Sequence, residues 1–380
     1  MKKVKIDREL LMLKMTKLMK FTPSTTPVVP AFDNIKFSIL GDTMIMVACN
    51  TNIQCKMTCQ CKATEPFSIC IPAKLFFKTI SLFRENEVTI SVKTDTKIEL
   101  KSGKSKYNIT LDCQPNAFPI METNESGSDI TLSQYFLKLG LRSAGKFVDD
   151  ENANQNMTAI NIADVENKMV FTAVQGGMMC RVAVRPISIG KWEPANLPVE
   201  TAGKVAAMME DKGEVTIIHG GGKICFFTGK DSDEFFEIMS VTANIKFPDS
   251  EKVFGRKPED VIVINTVEFT DAVKRLRLYA ESGEKPSFKI ESRGHELVLS
   301  STDSLLSKDG EDVIDPISYT EKPINRNFFS DQIIQIMTNV DSDEFEFFHT
   351  DKNNYPCFII PKVATDEENI FSFLIASLLD

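Results

Sequence analysis

The chain has 380 residues, 44 basic and 53 acidic, a formal net charge of −9 and 42% apolar side chains. That balance supplies large cores and excludes a disordered or collagen-like chain, and no apolar run approaches the ~18 residues of a membrane span. Nine cysteines, an odd number in a chain too long to need disulfide staples, read as thiols in a reducing cytoplasm.

Taken in chain order, the first 21 residues begin with Lys2 and Lys3, but Asp7, Arg8, Glu9, Lys14, Lys17 and Lys20 interrupt any apolar stretch, so export is not expected. A short strand, Val4–Ile6, leads through Asp7 into a helix predicted to reach Phe21. Asp is a favoured N-cap because its carboxylate accepts an otherwise orphaned backbone N–H. Period-two alternation then predicts strands at 34–39, 44–51 and 53–61. Cys55, Met57, Cys59 and Cys61 share one strand face, which reads as small apolar packing rather than a zinc site. A proline-led helix, Pro72–Phe83, precedes further strands at 88–93, 97–102 and 107–111.

The same layout recurs. Strand and cap return as Ile130–Leu132 with Ser133, and as Ile262–Ile264 with Asn265. The second helix and its following strand return at Pro198–Met209 with Glu214–Ile217, and at Asn325–Met337 with Glu344–Phe347. Phe118–Pro119 is repeated 129 residues later as Phe247–Pro248. Three markers at one spacing predict three domains of an α+β fold, each with two helices packed on antiparallel sheet. They are placed at 1–122, 128–254 and 260–363, with a C-terminal extension at 364–380.

Charge is unevenly placed. The six predicted helices carry +8, so the rest of the chain carries −17. Lys14, Lys17 and Lys20 recur every three residues, and Lys138, Arg142 and Lys146 every four, spacings that put them on one helix face. Leu10, Leu11 and Leu13, and Phe136, Leu137 and Leu141, supply the opposite faces. With Lys74, Lys78, Lys204, Lys274 and Arg275 on the other helices, the pattern predicts a surface that meets phosphates.

Chemistry-bearing motifs are otherwise weak. Gly103-Lys104-Ser105 has the ending of a phosphate-binding loop, but Ile98 stands where the first glycine belongs. His219, His295 and His349 lie in unrelated segments without metal-ligand spacing. No nucleophile–base constellation appears, so neither enzyme activity, nor a metal, nor a cofactor is expected.

Several segments resemble the bacterial sliding clamp, the beta subunit of DNA polymerase III. Ile71-Pro-Ala-Lys-Leu-Phe-Phe-Lys78, Glu87–Ile90, Ser102-Gly-Lys-Ser-Lys-Tyr-Asn-Ile-Thr110 and Ala117-Phe-Pro119 follow its proline-led helix, acidic turn, basic-aromatic strand and Phe-Pro exit. Lys246-Phe-Pro-Asp-Ser-Glu-Lys-Val253 is similar to its Phe-Pro-Asp segment, and Tyr355-Pro-Cys-Phe-Ile-Ile-Pro361 to its closing strand. The resemblance implies a head-to-tail homodimeric ring around duplex DNA, lined by helices and indifferent to sequence. It implies partners in the replicative polymerase, the clamp loader and repair proteins, no membrane, and a bacterial cytoplasm, that of a virus-infected cell included.

By position, the resemblance implies a dimer interface of Tyr107 and Ile109 against Leu278 and Tyr279, with Lys104 and Lys106 facing acidic residues near Asp309–Asp312. It implies a partner-peptide pocket of Met157, Val174, Gly176, Met178, Met179, Pro248, Lys252, Val253, Phe358, Ile360 and Pro361. Gly176-Gly177-Met178 stands where the family commonly has Gly-His-Arg. A clamp-like scaffold that binds partners without encircling DNA is the alternative, and a hydrolase assembled from distant residues a further one.

The end of the chain departs from this pattern. Thr365 and Glu368 form a capping box, with Asp366 and Glu367 in the first turn, followed by Ile370, Phe371, Phe373, Leu374, Ile375, Leu378 and Leu379. This predicts either a short helix packed on the third domain, or an arm whose Phe371, Phe373 and Leu374 reach the partner pocket.

Overall fold

The structure, a computed structural model, describes residues 2–122, 127–149, 158–229, 235–280, 285–303, 308–320, 322–350, 352, 355–362 and 371–378. Met157 of the expected pocket, and Thr365 and Glu368 of the expected capping box, lie outside the described residues.

One local motif is built three times. A strand runs directly into a helix, and that strand pairs antiparallel with a strand some 80 residues later in the chain: Lys3–Asp7 with Glu87–Thr94, Ser128–Ser133 with Glu214–Gly220, and Asp260–Asn265 with Glu344–His349. In each copy the first helical N–H donates to a carbonyl just before the returning strand: Arg8 to Asn86 at 2.7 Å, Gln134 to Gly213 at 2.9 Å and Thr266 to Asp343 at 2.9 Å. The helices are α1 (Arg8–Leu18), α3 (Gln134–Gly145) and α6 (Thr266–Arg277). Asp7 and Asn265 cap α1 and α6, accepting from Leu10 and Glu268 N–H at 2.9 and 3.0 Å. The second helix of each copy also follows a strand: α2 (Ala73–Ser81), α4 (Val199–Ala206) and α7 (Ser330–Met337). A further short helix, α5 (Ser250–Phe254), is capped by Asp249.

The third copy corrects one boundary. Residues 325–329, expected as helix, form the strand Asn325–Phe329. Ile324, Arg326 and Phe328 are buried in alternation, a period of two that fits a strand and not a helix.

The chain divides into two units, residues 1–138 with 186–244, and residues 139–185 with 245–380. The first holds a nine-stranded antiparallel sheet, Ser188–Ile189, Ser128–Ser133, Glu214–Gly220, Lys223–Phe227, Phe236–Val241, Ile53–Gln60, Thr43–Cys49, Asn34–Leu40 and Phe67–Pro72 in spatial order. It also holds a five-stranded sheet that ends in the edge strand Ser105–Thr110. Cys55, Met57 and Cys59 are buried together on one strand as the alternation required. Burial pushes the Cys59 and Cys61 thiols up to about 11, which makes them poor nucleophiles.

The second unit has a four-stranded sheet ending in the edge strand Lys308–Ile314. In its other sheet Ala159–Val165, Lys168–Gln175 and Met178–Val184 are followed by Phe371–Ile375, Cys357–Pro361, Glu344–His349, Asp260–Asn265 and Ser318–Tyr319. The C-terminal residues 371–375 are therefore a strand, neither the expected packed helix nor a separate arm, and of Phe371, Phe373 and Leu374 it is Leu374 that joins the expected pocket residues. They pair on one side with Met178–Val184 and on the other with Cys357–Pro361. Phe373 is fully buried with its ring 5.5 Å from Phe147, and Leu378 bridges on to Asn327. Pairing on both edges from Phe373 to Ile375 satisfies backbone groups that would otherwise be buried unpaired.

Candidate functional site

The outward faces of the helices decide which cations are available. On α1 the buried stripe is Leu11, Lys14, Met15 and Leu18. Lys14 is 3% exposed, whereas Leu13 is 55% exposed. This corrects the expected lysine stripe: Lys14 falls on the packed side of α1, while Lys20 lies beyond the helix in the 3-10 turn Met19–Phe21 and is exposed. On α2, Lys74 and Lys78 are exposed one turn apart, above buried Ala73, Phe76 and Ile80. On α3, Arg142 is exposed and Lys138 half-buried, and Lys146, in the turn just after the helix, is exposed. Gly140 lets this helix approach its sheet, since a Cβ there would lie 2.4 Å from the Phe171 ring.

Most of these cations have a protein partner. Lys17 pairs with Glu210 at 2.8 Å, Lys138 with Asp211 at 2.8 Å and Lys204 with Glu200 at 2.7 Å. Lys274 pairs with Asp271 at 3.6 Å and Arg275 with Asp312 at 2.8 Å. Lys20 and Lys74 donate to the carbonyls of Ala207 and Ser24, and Lys146 to Asn339 Oδ1 at 2.7 Å. Exposed pairs of this kind are weak, worth roughly 0–1 kcal/mol, and open readily to a competing phosphate.

The two edge strands carry opposite charge. Ser105–Thr110 and its turn expose Lys104, Lys106 and Tyr107. Lys308–Ile314 exposes Asp309, Glu311 and Val313 and half-buries Asp312. Leu278 is 70% exposed at the end of α6, followed by exposed Tyr279. Ile109, by contrast, is 3% exposed. It shares a strand face with exposed Tyr107 but is packed within its own chain, paired across from buried Ile98, and so leaves the expected interface set.

A buried apolar cluster of the second unit gathers several of the expected pocket residues. Val174, Met179, Phe348, Phe358, Ile360 and Leu374 form one cluster on one face of the sheet. The register sets it, since Val174 is opposite Met179, Met179 opposite Leu374, Leu374 opposite Phe358 and Phe358 opposite Phe348. Phe247, Val253, Phe254 and Val261 pack against it and stay partly open. Of the expected pocket residues, the structure joins Val174, Met179, Val253, Phe358 and Ile360 in this cluster and leaves Pro248 and Lys252 exposed on the segment beside it. Gly176 sits at φ +55° in the Gln175–Met178 hairpin turn. Met178 and Pro361 are corrections: each is buried one residue away from a cluster member, and therefore on the other sheet face.

Sequence reasoning missed Phe254, Phe348 and Lys257. The Lys257 ammonium sits 3.8 Å above the Phe348 ring, and Phe254 meets Phe358 edge to face at 5.7 Å. The adjacent aromatic pair Phe347–Phe348 was a signal, since on a buried strand one ring must face each side.

Three comparisons bear on this arrangement. Residues 2–122 match the family described as DNA polymerase III beta subunit, N-terminal domain. The beta sliding clamp of Staphylococcus epidermidis is 24% identical over 375 residues, covering 94% of both chains. In fold, the DNA polymerase sliding clamp of Pseudomonas aeruginosa superposes with a TM-score of 0.87 at 15% identity, over 100% of both chains. The sliding clamp of Bacillus subtilis also gives 0.87, at 17% identity, over 100% of this chain and 99% of its own. The fold is thus the three-domain sliding-clamp fold, and the C-terminal strand lies within the matched length. Among the described residues no helix is long and apolar enough to cross a membrane.

Proposed function

We propose that this chain, a divergent member of the beta sliding-clamp family, is a DNA sliding clamp. In this reading two copies close a ring around duplex DNA, and the ring tethers the replicative polymerase, the clamp loader and other proteins. It is a non-catalytic processivity factor of the cytoplasm, divided near residues 122–128 and 254–260.

The observation that carries the reading is the threefold repetition of one strand–helix unit with cations on its open helix faces. A ring holds DNA topologically, so each phosphate contact can be weak and exchangeable. Ion pairs that open readily suit such sliding. The oppositely charged edge strands support head-to-tail closure, in which Ser105–Thr110 of one copy extends the sheet that ends in Lys308–Ile314 of the other. A strand edge is a ready template for such pairing. This reading places the partner-peptide surface at the partly open Phe247, Val253, Phe254 and Val261, which pack on the cluster around Leu374.

The scaffold alternative has one observation on its side: Lys17, Lys138, Lys204 and Arg275 are already paired with carboxylates. Topology separates the two readings. Protein loaded by a clamp loader and ATP onto nicked circular plasmid should stay bound through gel filtration at high salt, and should slide off once the plasmid is cut. Equal loss from circular and linear DNA would refute encirclement.

A further inference from the structure

We propose that a cavity in the first unit, walled by residues 19–32 and by the helices α2 and α4, binds a free nucleoside polyphosphate. The site stands on this unit alone and needs neither a ring nor DNA.

The cavity holds about 630 Å³, within the ~300–1,000 Å³ usual for small-molecule sites. One wall is the connection that follows α1, and the turn at Asn50 and Thr51 closes another side. Pro23 and Pro27 each fix a backbone angle in that connection, which stiffens a stretch lying between two 3-10 turns. Two ammonium groups tie it down. Lys74 of α2 donates to the Ser24 carbonyl at 3.2 Å, and Lys20 donates to the carbonyl of Ala207, at the end of α4, at 3.3 Å. The walls are thus positioned before any ligand arrives, which lowers the cost of binding.

The same two lysines supply the charge. A carbonyl occupies one of an ammonium's three donors and leaves its charge intact. Neither Lys20 nor Lys74 has a carboxylate partner among the described residues. Lys204 also lines the cavity but is neutralised by Glu200 at 2.7 Å. Three lysines against one glutamate leave the lining at +2, in a chain of net charge −9. The exposed hydroxyls of Ser24, Thr25 and Thr51 stand in the same lining.

The rest of the wall is apolar. Val28 is fully exposed and Val29 41% exposed, and both line the cavity with Met19 and Phe32. Neither valine belongs to a core of the chain. A ligand that is polyanionic at one end and flat and apolar at the other satisfies both halves, which is the chemistry of a nucleoside polyphosphate. The phosphates of a duplex lie on a convex surface and meet open helix faces, whereas a concave site of this size admits a small molecule whole.

In the test, ATP, adenosine and pyrophosphate are titrated in turn into the full chain by calorimetry, with no DNA present. ATP should bind. Adenosine and pyrophosphate should each bind roughly tenfold more weakly or worse, since each fills one half of the site. ATP affinity should fall at 500 mM salt. Lys20→Gln with Lys74→Gln should lower it roughly tenfold, and so should Val29→Asp, which sets a carboxylate in the apolar wall. All three side chains are exposed, so these variants keep the fold. The same loss of charge at exposed Lys97 and Lys101, on the strand Lys97–Ser102, should change nothing. Absence of ATP binding at millimolar concentration would overturn the proposal. So would pyrophosphate binding as tightly as ATP, which marks a plain anion patch, or unchanged ATP affinity in the double lysine variant, which places the nucleotide elsewhere. Displacement of ATP by a single-stranded oligonucleotide but not by a duplex would assign the cavity to a DNA strand and overturn the proposal as well.

Discussion

Phe373→Ala probes the element in which local and tertiary signals disagree most. Phe373 has no exposed surface, lies opposite Cys180 and Ile359, and holds its ring 5.5 Å from Phe147 and 6.1 Å from Phe371. Removing a fully buried ring costs about 3–5 kcal/mol, of which the cavity contributes a large part. Phe371 is half-buried, so Phe371→Ala should cost roughly 1 kcal/mol. Leu374→Ala should cost about 2–4 kcal/mol from the cluster side. Ser372→Ala, on the alternate, half-buried position, should be nearly silent. The expected profile along 371–374 is thus small, small, large, large. An appended helix or a loose arm would give no large value at Phe373.

A chain of several packed elements has no single unfolding free energy. The measurement is therefore native-state hydrogen exchange, read on peptides that cover the paired strands Met178–Val184 and Cys357–Pro361. Loss of protection in both with Phe373→Ala, and in neither with Ser372→Ala, is expected. A Phe373→Ala protein whose protection stays within about 1 kcal/mol of the parent would refute the placement of this strand.

Other substitutions follow from the same geometry. Leu278→Glu together with Tyr279→Glu should convert a dimer of twice 42.6 kDa into monomers, seen by light scattering, without loss of helix signal. Arg142→Glu with Lys78→Glu should lower retention on circular DNA and flatten its salt dependence, whereas Lys14→Glu should lower thermal stability by several degrees through its buried position. His349 is fully buried with neither ring nitrogen hydrogen-bonded among the described residues, and burial holds its pKa below the ordinary 6.5. The unfolded chain then binds the proton more readily, so stability is complete above about pH 6.5 and falls as pH drops toward the folded-state value. His349→Phe should remove that slope, and a persisting slope in a urea titration between pH 7 and 5 would show that other groups cause it.

Much of the fold was legible because its signals are local. Asp7, Ser133 and Asn265 mark three strand-to-helix junctions, and the same backbone bond closes all three. Alternation placed Cys55, Met57 and Cys59 on one buried face before any partner strand was known. Five of the expected pocket residues meet in one cluster because a carried-over motif preserves register, and register fixes the face of every residue. The same rule removes Met178 and Pro361, which a list of positions cannot separate from their neighbours.

What the sequence could not decide was anything set by a distant partner. Whether Lys17 and Lys138 stand free depends on Glu210 and Asp211, far along the chain. Lys14 and Leu13 exchange the places their residue types suggest, because the sheet beneath α1 chooses which stripe is packed. The last strand is the sharpest case. Helix capping is a short-range preference worth about 1 kcal/mol, whereas Phe371–Ile375 gains two hydrogen-bonded neighbours and a buried ring. Those neighbours, Met178–Val184 and Cys357–Pro361, are brought alongside by the tertiary fold alone, and no periodicity within the segment could report them.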